Sequence, residues 1–87
     1  MITLGIDVSK AKIDCCIFPS GLTGKRKTKR FDNAQSGFVK LVKWLTELDV
    51  NLSDTRAVME ATSVYHENLA HFLYDRTYAL LFIDSLW

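Results

Sequence analysis

A carboxylate interrupts an apolar period-two run at the start of this chain. Ile2, Leu4, Ile6 and Val8 alternate with Thr3, Gly5, Asp7 and Ser9, the pattern of a strand with one apolar face. Asp is depleted in strands and costly to bury, so the face that carries Asp7 must meet water or a counter-charge. A second carboxylate, Glu60, closes another apolar run, Thr55-Arg-Ala-Val-Met-Glu60. Two carboxylates on two apolar strands suggest a shared task, most simply the holding of a divalent metal. Taken singly, each has a plainer reading: Asp7 as a turn residue, Glu60 as a charge at a helix N-terminus.

Between these two acids the hydrophobic pattern changes period. Ile13, Cys15 and Ile17 alternate with Lys12, Asp14 and Cys16, so Lys12 to Phe18 reads as a strand and the short turn before it makes an antiparallel hairpin. Pro19-Ser-Gly-Leu-Thr-Gly24 is a loop, and Lys25 to Phe31 a third strand. Phe38, Leu41, Val42, Leu45 and Leu48 then recur at helical spacing from Ser36 to about Leu48, with Asn33 or Ser36 able to cap. Thr55 to Glu60 is a short strand. Ser63 can cap a second helix with a buried stripe of Tyr65, Leu69, Phe72 and Leu73. Tyr78 to Ile83 is a continuous apolar run, the mark of a strand covered on both faces.

The order β-β-β-α-β-α-β constrains the topology. Right-handed crossovers allow the first and fourth strands to lie side by side and parallel, with the fifth beyond the fourth. The predicted fold is α/β, a mixed five-stranded sheet in order 3-2-1-4-5, ribonuclease-H-like. Both crossovers move the same way across the sheet, so two helices on one face must meet Ile2, Leu4, Ile6 and Val8. Thr3, Gly5, Asp7 and Ser9 face the other side, together with Glu60. Nothing after Ile83 is long enough to cover that side, and residues 1–87 read as a partial domain that lacks its C-terminal helices.

At 87 residues the chain is one domain or less. A net charge of +1 predicts no strong steering by the whole molecule. Cys15 and Cys16 are adjacent, so in a strand they point to opposite faces and are poorly placed to bridge each other. Free thiols, no run of membrane-spanning length and no signal pattern make a cytoplasmic protein the expectation.

Gly5-Ile-Asp-Val-Ser-Lys10 and Val58-Met-Glu-Ala-Thr-Ser-Val-Tyr-His-Glu67, separated by one amphipathic helix, closely resemble the N-terminal catalytic domain of the DEDD family of insertion-sequence transposases. That family includes the pilin-gene invertases and the bridge-RNA-guided recombinases. Phe31-Asp-Asn-Ala-Gln-Ser-Gly-Phe38 is similar to the family's lead-in to its first helix. The resemblance covers Ile2 to about Ile83. It implies a RuvC-like domain that acts on DNA phosphodiesters, with Mg²⁺ or Mn²⁺ as cofactor, DNA as partner and possible use of a guide RNA. It makes Asp7 the first and Glu60 the second of four catalytic and metal-binding acids. The two later aspartates have no counterpart here, since Asp84 comes too soon. Ser63 stands where the family's Thr-Gly-Val-Tyr motif has glycine. With half of the acids, one weak metal site and no DNA cleavage by the chain alone are expected.

Lys25, Arg26, Lys27, Lys29 and Arg30 form the only basic run. They suit nucleic-acid phosphates, and equally a lysine-rich edge strand protected from aggregation; the two readings are compatible. Lys10, beside the Asp7 strand, is a further phosphate candidate. His66 is within plausible reach of Glu60 but reads more simply as a surface histidine. Trp44 reads as core rim.

Two other functions compete. ATPases of the actin and hexokinase class share this fold and open on Gly-Ile-Asp, but they follow the Asp with glycine and Thr or Ser, where Val8, Ser9 and Lys10 stand here. A non-catalytic, self-associating module is the other, anchored by the uncovered sheet face and by Leu80, Leu81, Phe82, Leu86 and Trp87; a homo-oligomer is expected on this ground.

Overall fold

The period-two run at the start of the chain becomes the middle of a sheet. In the computed structural model, residues 2–18, 26–60 and 64–83 are described. Strands β1 (Ile2–Val8) and β2 (Lys12–Phe18) form an antiparallel hairpin in which Leu4 pairs with Ile17 and Ile6 with Cys15. The turn is closed by Ser9, whose N–H and Oγ both donate to the Lys12 carbonyl, at 2.9 and 3.0 Å. β3 (Lys27–Asp32) adds to the outside of β2. Helix α1 (Gln35–Glu47) crosses back to β4 (Thr55–Glu60), which lies parallel to β1. A 3₁₀ turn (Val64–His66) and α2 (Glu67–Tyr74) then lead to β5 (Ala79–Ile83), parallel to β4. The order is β3-β2-β1-β4-β5, the one expected from the crossover argument. β3 is an edge strand, which fits its lysines.

One face of this sheet is dry. Leu4, Ile13, Ala57 and Met59 are almost fully buried against Phe38, Leu41 and Leu45 of α1 and Leu69 and Leu73 of α2. Each such leucine or phenylalanine contributes about 1.5–3 kcal/mol. Phe38 and Phe72 lock the helices together at 5.4 Å between ring centroids, and Phe31 meets Trp44 at the rim at 5.7 Å. The alternation assigned to β1 therefore holds: Leu4 and Ile6 are buried and Asp7 is exposed.

Four local expectations are corrected. α1 begins at Gln35 with Ala34 as its cap residue and no side-chain cap; Asn33 is engaged elsewhere and Ser36 lies inside the first turn. Tyr65 belongs to the 3₁₀ turn and is exposed, not part of the α2 stripe. β5 is not covered on both faces: Leu81, Phe82 and Ile83 are 43%, 49% and 51% exposed. A continuous apolar run carries no facing information, and this one forms the open edge. The third strand starts at Lys27; Lys25, the proposed Ser63 cap and the tail residues Asp84, Leu86 and Trp87 lie outside the described residues.

α1 ends without glycine. Asp49 takes the left-handed conformation at φ 59°, which Asp tolerates better than most residues. Val50 N–H donates to Leu45 O and Asp49 N–H to Thr46 O, the paired bonds of a Schellman stop.

Candidate functional site

The site is built by register. The parallel ladder between β1 and β4 pairs Gly5 with Val58 and ends at Ile6–Met59. Asp7 and Glu60 follow on the next rung, both on the face opposite the helices. Neighbouring strands lie about 4.8 Å apart, so the backbone positions that carry the two carboxylates are adjacent. Asp7 is exposed and Glu60 half-buried. Among the described residues, neither carboxylate takes part in a side-chain hydrogen bond or ion pair. Hard carboxylate oxygens, side by side and accessible, are a donor set that suits Mg²⁺ or Mn²⁺.

A third carboxylate stands beside them that sequence reasoning passed over. Asp14 is directly opposite Asp7 across the hairpin, so the same rung reads Arg30, Asp14, Asp7, Glu60 over four strands. Asp14 does not join the pair. Its Oδ1 accepts from Arg30 Nε at 2.7 Å, which draws it toward the edge strand. That hydrogen bond, and then the charge of Asp14, raise the Arg30 pKa. Two rungs toward the hairpin turn lies a second cross-strand pair, Lys12 with Asp32, and the Lys12 hydrogen bond holds the Asp32 carboxyl below its ordinary value. Among the described residues no group of three or more Asp, Glu, His or Cys converges as a metal cage. Counting the hairpin register outward from Ser9 would have placed Asp14 next to Asp7.

The basic run divides by parity. Thr28 pairs with Cys16 and Arg30 with Asp14, so Arg26, Thr28 and Arg30 fall on the Asp7 face. Lys27 and Lys29 pair with Ile17 and Cys15 and fall on the helix side, where Lys29 Nζ lies 5.9 Å from the Phe31 ring centre. Arg26 lies over the Phe18 ring at 5.9 Å. Arg26, Thr28, Arg30 and Phe18 line one shallow concavity with Gly5, Asp7, Asp14, Cys16, Val58 and Glu60. Lys10 is exposed in the hairpin turn. Lys25 is not described. His66, considered as a partner of Glu60, instead sets its ring edge-on to Phe82 at 5.5 Å, on the helix side of β5.

Comparison with known proteins gives a consistent answer. The sequence model of a DEDD transposase family, described as Transposase, matches residues 4–86. Pilin gene-inverting proteins of Moraxella lacunata and Moraxella bovis are each 32% identical over 84 residues, or 97% of this chain. The chain spans 25% of the length of those relatives. Among solved structures, a Bacteroides thetaiotaomicron protein with an actin-like ATPase fold and unknown function aligns with TM-score 0.69 at 18% identity, over 94% of this chain and 32% of its own. Thermus thermophilus RuvC aligns with TM-score 0.59 at 7% identity, over 97% of this chain and 64% of its own. At such identities these two likenesses speak to the fold, which is ribonuclease-H-like.

Proposed function

The chain belongs to the DEDD transposase family, and on that premise we propose that it is the part of a DNA transposase or recombinase that carries the first two catalytic acids, Asp7 and Glu60. The observation that carries the reading is the register that puts these carboxylates on adjacent central strands, on the face the helices leave bare. Asp7 and Glu60 would hold and orient a divalent ion, which when bound would supply Lewis-acid activation of a phosphodiester. Arg26, with Lys10 on the turn, neutralises backbone phosphates as they approach. Arg30 holds Asp14 aside, so that its negative charge is matched rather than added to the pair. DNA is the proposed partner, with a guide RNA as a second nucleic acid offered by the family resemblance alone. No helix among the described residues is long and apolar enough to cross a membrane; a cytoplasmic site of action is proposed with the function. The intact protein is the proposed catalyst, and this chain alone, with two acids, is expected to bind metal weakly and not to cut.

Mn²⁺ titration followed by paramagnetic broadening of amide signals tests this. Broadening is expected to centre on Asp7 and Glu60, and Asp7→Asn or Glu60→Gln should weaken the affinity about tenfold or more. Broadening centred elsewhere, or indifferent to both substitutions, removes the metal reading.

The parity of β3 gives a second expectation. Arg26→Ala should weaken binding to a short DNA duplex and lower the salt dependence by about 0.9 in log–log slope. Lys27→Ala and Lys29→Ala should leave both nearly unchanged. Equal losses at all three positions would mean that the basic run acts as a diffuse charge.

A self-associating module remains the second reading, favoured by the exposed Leu81, Phe82 and Ile83 on the open edge strand. An ATPase is supported by fold likeness alone, and the family match weighs against it. Mn²⁺ at Asp7 and Glu60 supports the transposase reading over both.

A further inference from the structure

We propose that Asn33 is a positioning residue for the Asp7–Glu60 pair; the inference rests on the metal reading of that pair. The ladder between β1 and β4 stops at Ile6–Met59, so the two acids, although paired outward with Asp14 and Ile83, stand one rung beyond the last pairing that joins their own strands to each other. Asn33 holds the chain together just past that point. Its side-chain Nδ2 donates to the Ser9 carbonyl at 2.9 Å and to the Tyr65 carbonyl at 3.0 Å. Its backbone N–H donates to the Ala11 carbonyl at 2.9 Å. Ser9 follows Asp7 by two residues, in the hairpin turn. Tyr65 follows Glu60 by five, in the 3₁₀ turn. One amide thus joins the segments leaving the two acid-bearing strands, and both of its N–H donors are used.

These bonds span 24 and 32 residues of sequence, so they fix tertiary spacing rather than local conformation. Asn33 does not touch either carboxylate. It acts on them through the separation of their strand ends, as outer groups orient ligands at metal sites. A capping role would have required its oxygen to accept from the start of α1, and α1 has no side-chain cap.

The test is Mn²⁺ affinity measured by the same broadening at Asp7 and Glu60, at a temperature where each variant is folded by circular dichroism. Asn33→Ala is expected to weaken the affinity about tenfold. Asn33→Gln, which keeps both donors on a longer stem, should recover most of the loss. A folded Asn33→Ala variant with wild-type affinity would falsify the proposal and leave Asn33 as a structural tie only. If Asn33→Ala does not fold, the wild type decides: saturation with Mg²⁺ should slow solvent exchange of the Asn33 side-chain protons, and unchanged exchange overturns the coupling. Wild-type chain that shows no broadening at Asp7 and Glu60 defeats the metal reading and this inference with it, a result distinct from unchanged affinity in the variant.

Discussion

Gly37→Ala is expected to lower the unfolding free energy by about 3 kcal/mol or more. For a small domain that is a large share of a total of about 5–15 kcal/mol, and the variant should melt far below the wild type or fail to fold. The sign is the reverse of helix propensity. In an ordinary helix interior, alanine for glycine stabilises by about 0.5–1 kcal/mol. Gly37 lies in the first turns of α1, buried, where the helix folds straight back onto the end of β3. A β-carbon there would lie 1.9 Å from the Asp32 carbonyl oxygen, 2.7 Å from its carbon and 2.9 Å from its nitrogen. All three are backbone atoms of a paired strand, so the only relief is to lift α1 and with it Phe38 and Leu41. Gly5 provides the contrast. Its added carbon would meet the Phe18 ring at 3.3 Å, a side chain that is 44% exposed and can turn aside. Gly5→Ala should cost less than about 1 kcal/mol. Thermal and urea unfolding of the two variants measures both. A Gly37→Ala protein as stable as the wild type would mean that α1 can shift on the sheet without penalty.

The difference between Gly5 and Gly37 also marks where the sequence is legible. What depends on period and handedness could be read directly. Alternation in Ile2 to Val8 gave the buried and exposed faces of β1, and the direction of the two crossovers put Glu60 beside Asp7. What depends on a contact between distant segments could not. Gly37 looks like a weak point in an amphipathic helix until Asp32 is placed against it. Asn33 stands where a helix cap belongs, but its amide is drawn to carbonyls 24 and 32 residues away, and no local rule reports that. Asp14 lies between these cases. Its place opposite Asp7 follows from the hairpin count, while its turn toward Arg30 needs the register of a strand beyond a loop. The basic run was legible in composition and misleading as a unit, because period two sends Arg26 and Lys27 to opposite faces. The apolar β5 run carried hydrophobicity without any indication of what covers it.

That same period-two rule predicts a large chemical difference between two adjacent thiols. Cys16 should be alkylated by iodoacetamide at pH 8 at least about a hundredfold faster than Cys15. Both are free. Cys15 faces the helices and is 1% exposed. Burial, and then the charges of Asp14 and Cys16, push its thiol up to about 12 from an ordinary 9.0. The thiolate is the nucleophile, so such a shift removes roughly three powers of ten in reactive form before access is considered. Cys16 is half-buried on the other face, opposite Gly5, in the concavity it shares with Asp7 and Glu60. The Cys15 shift also has a consequence for stability. The folded state holds this proton more tightly than the unfolded chain, so the contribution is complete below about pH 9 and is lost as pH rises toward 12. Cys15→Ala should flatten the alkaline limb of the stability profile. Mass-spectrometric mapping of the labelled peptide, with each single-cysteine variant as control, reads the rate ratio. Equal labelling under native conditions would mean that the helix-covered face opens on the time scale of the reaction, and that the core between β2 and α1 is far looser than its packing implies.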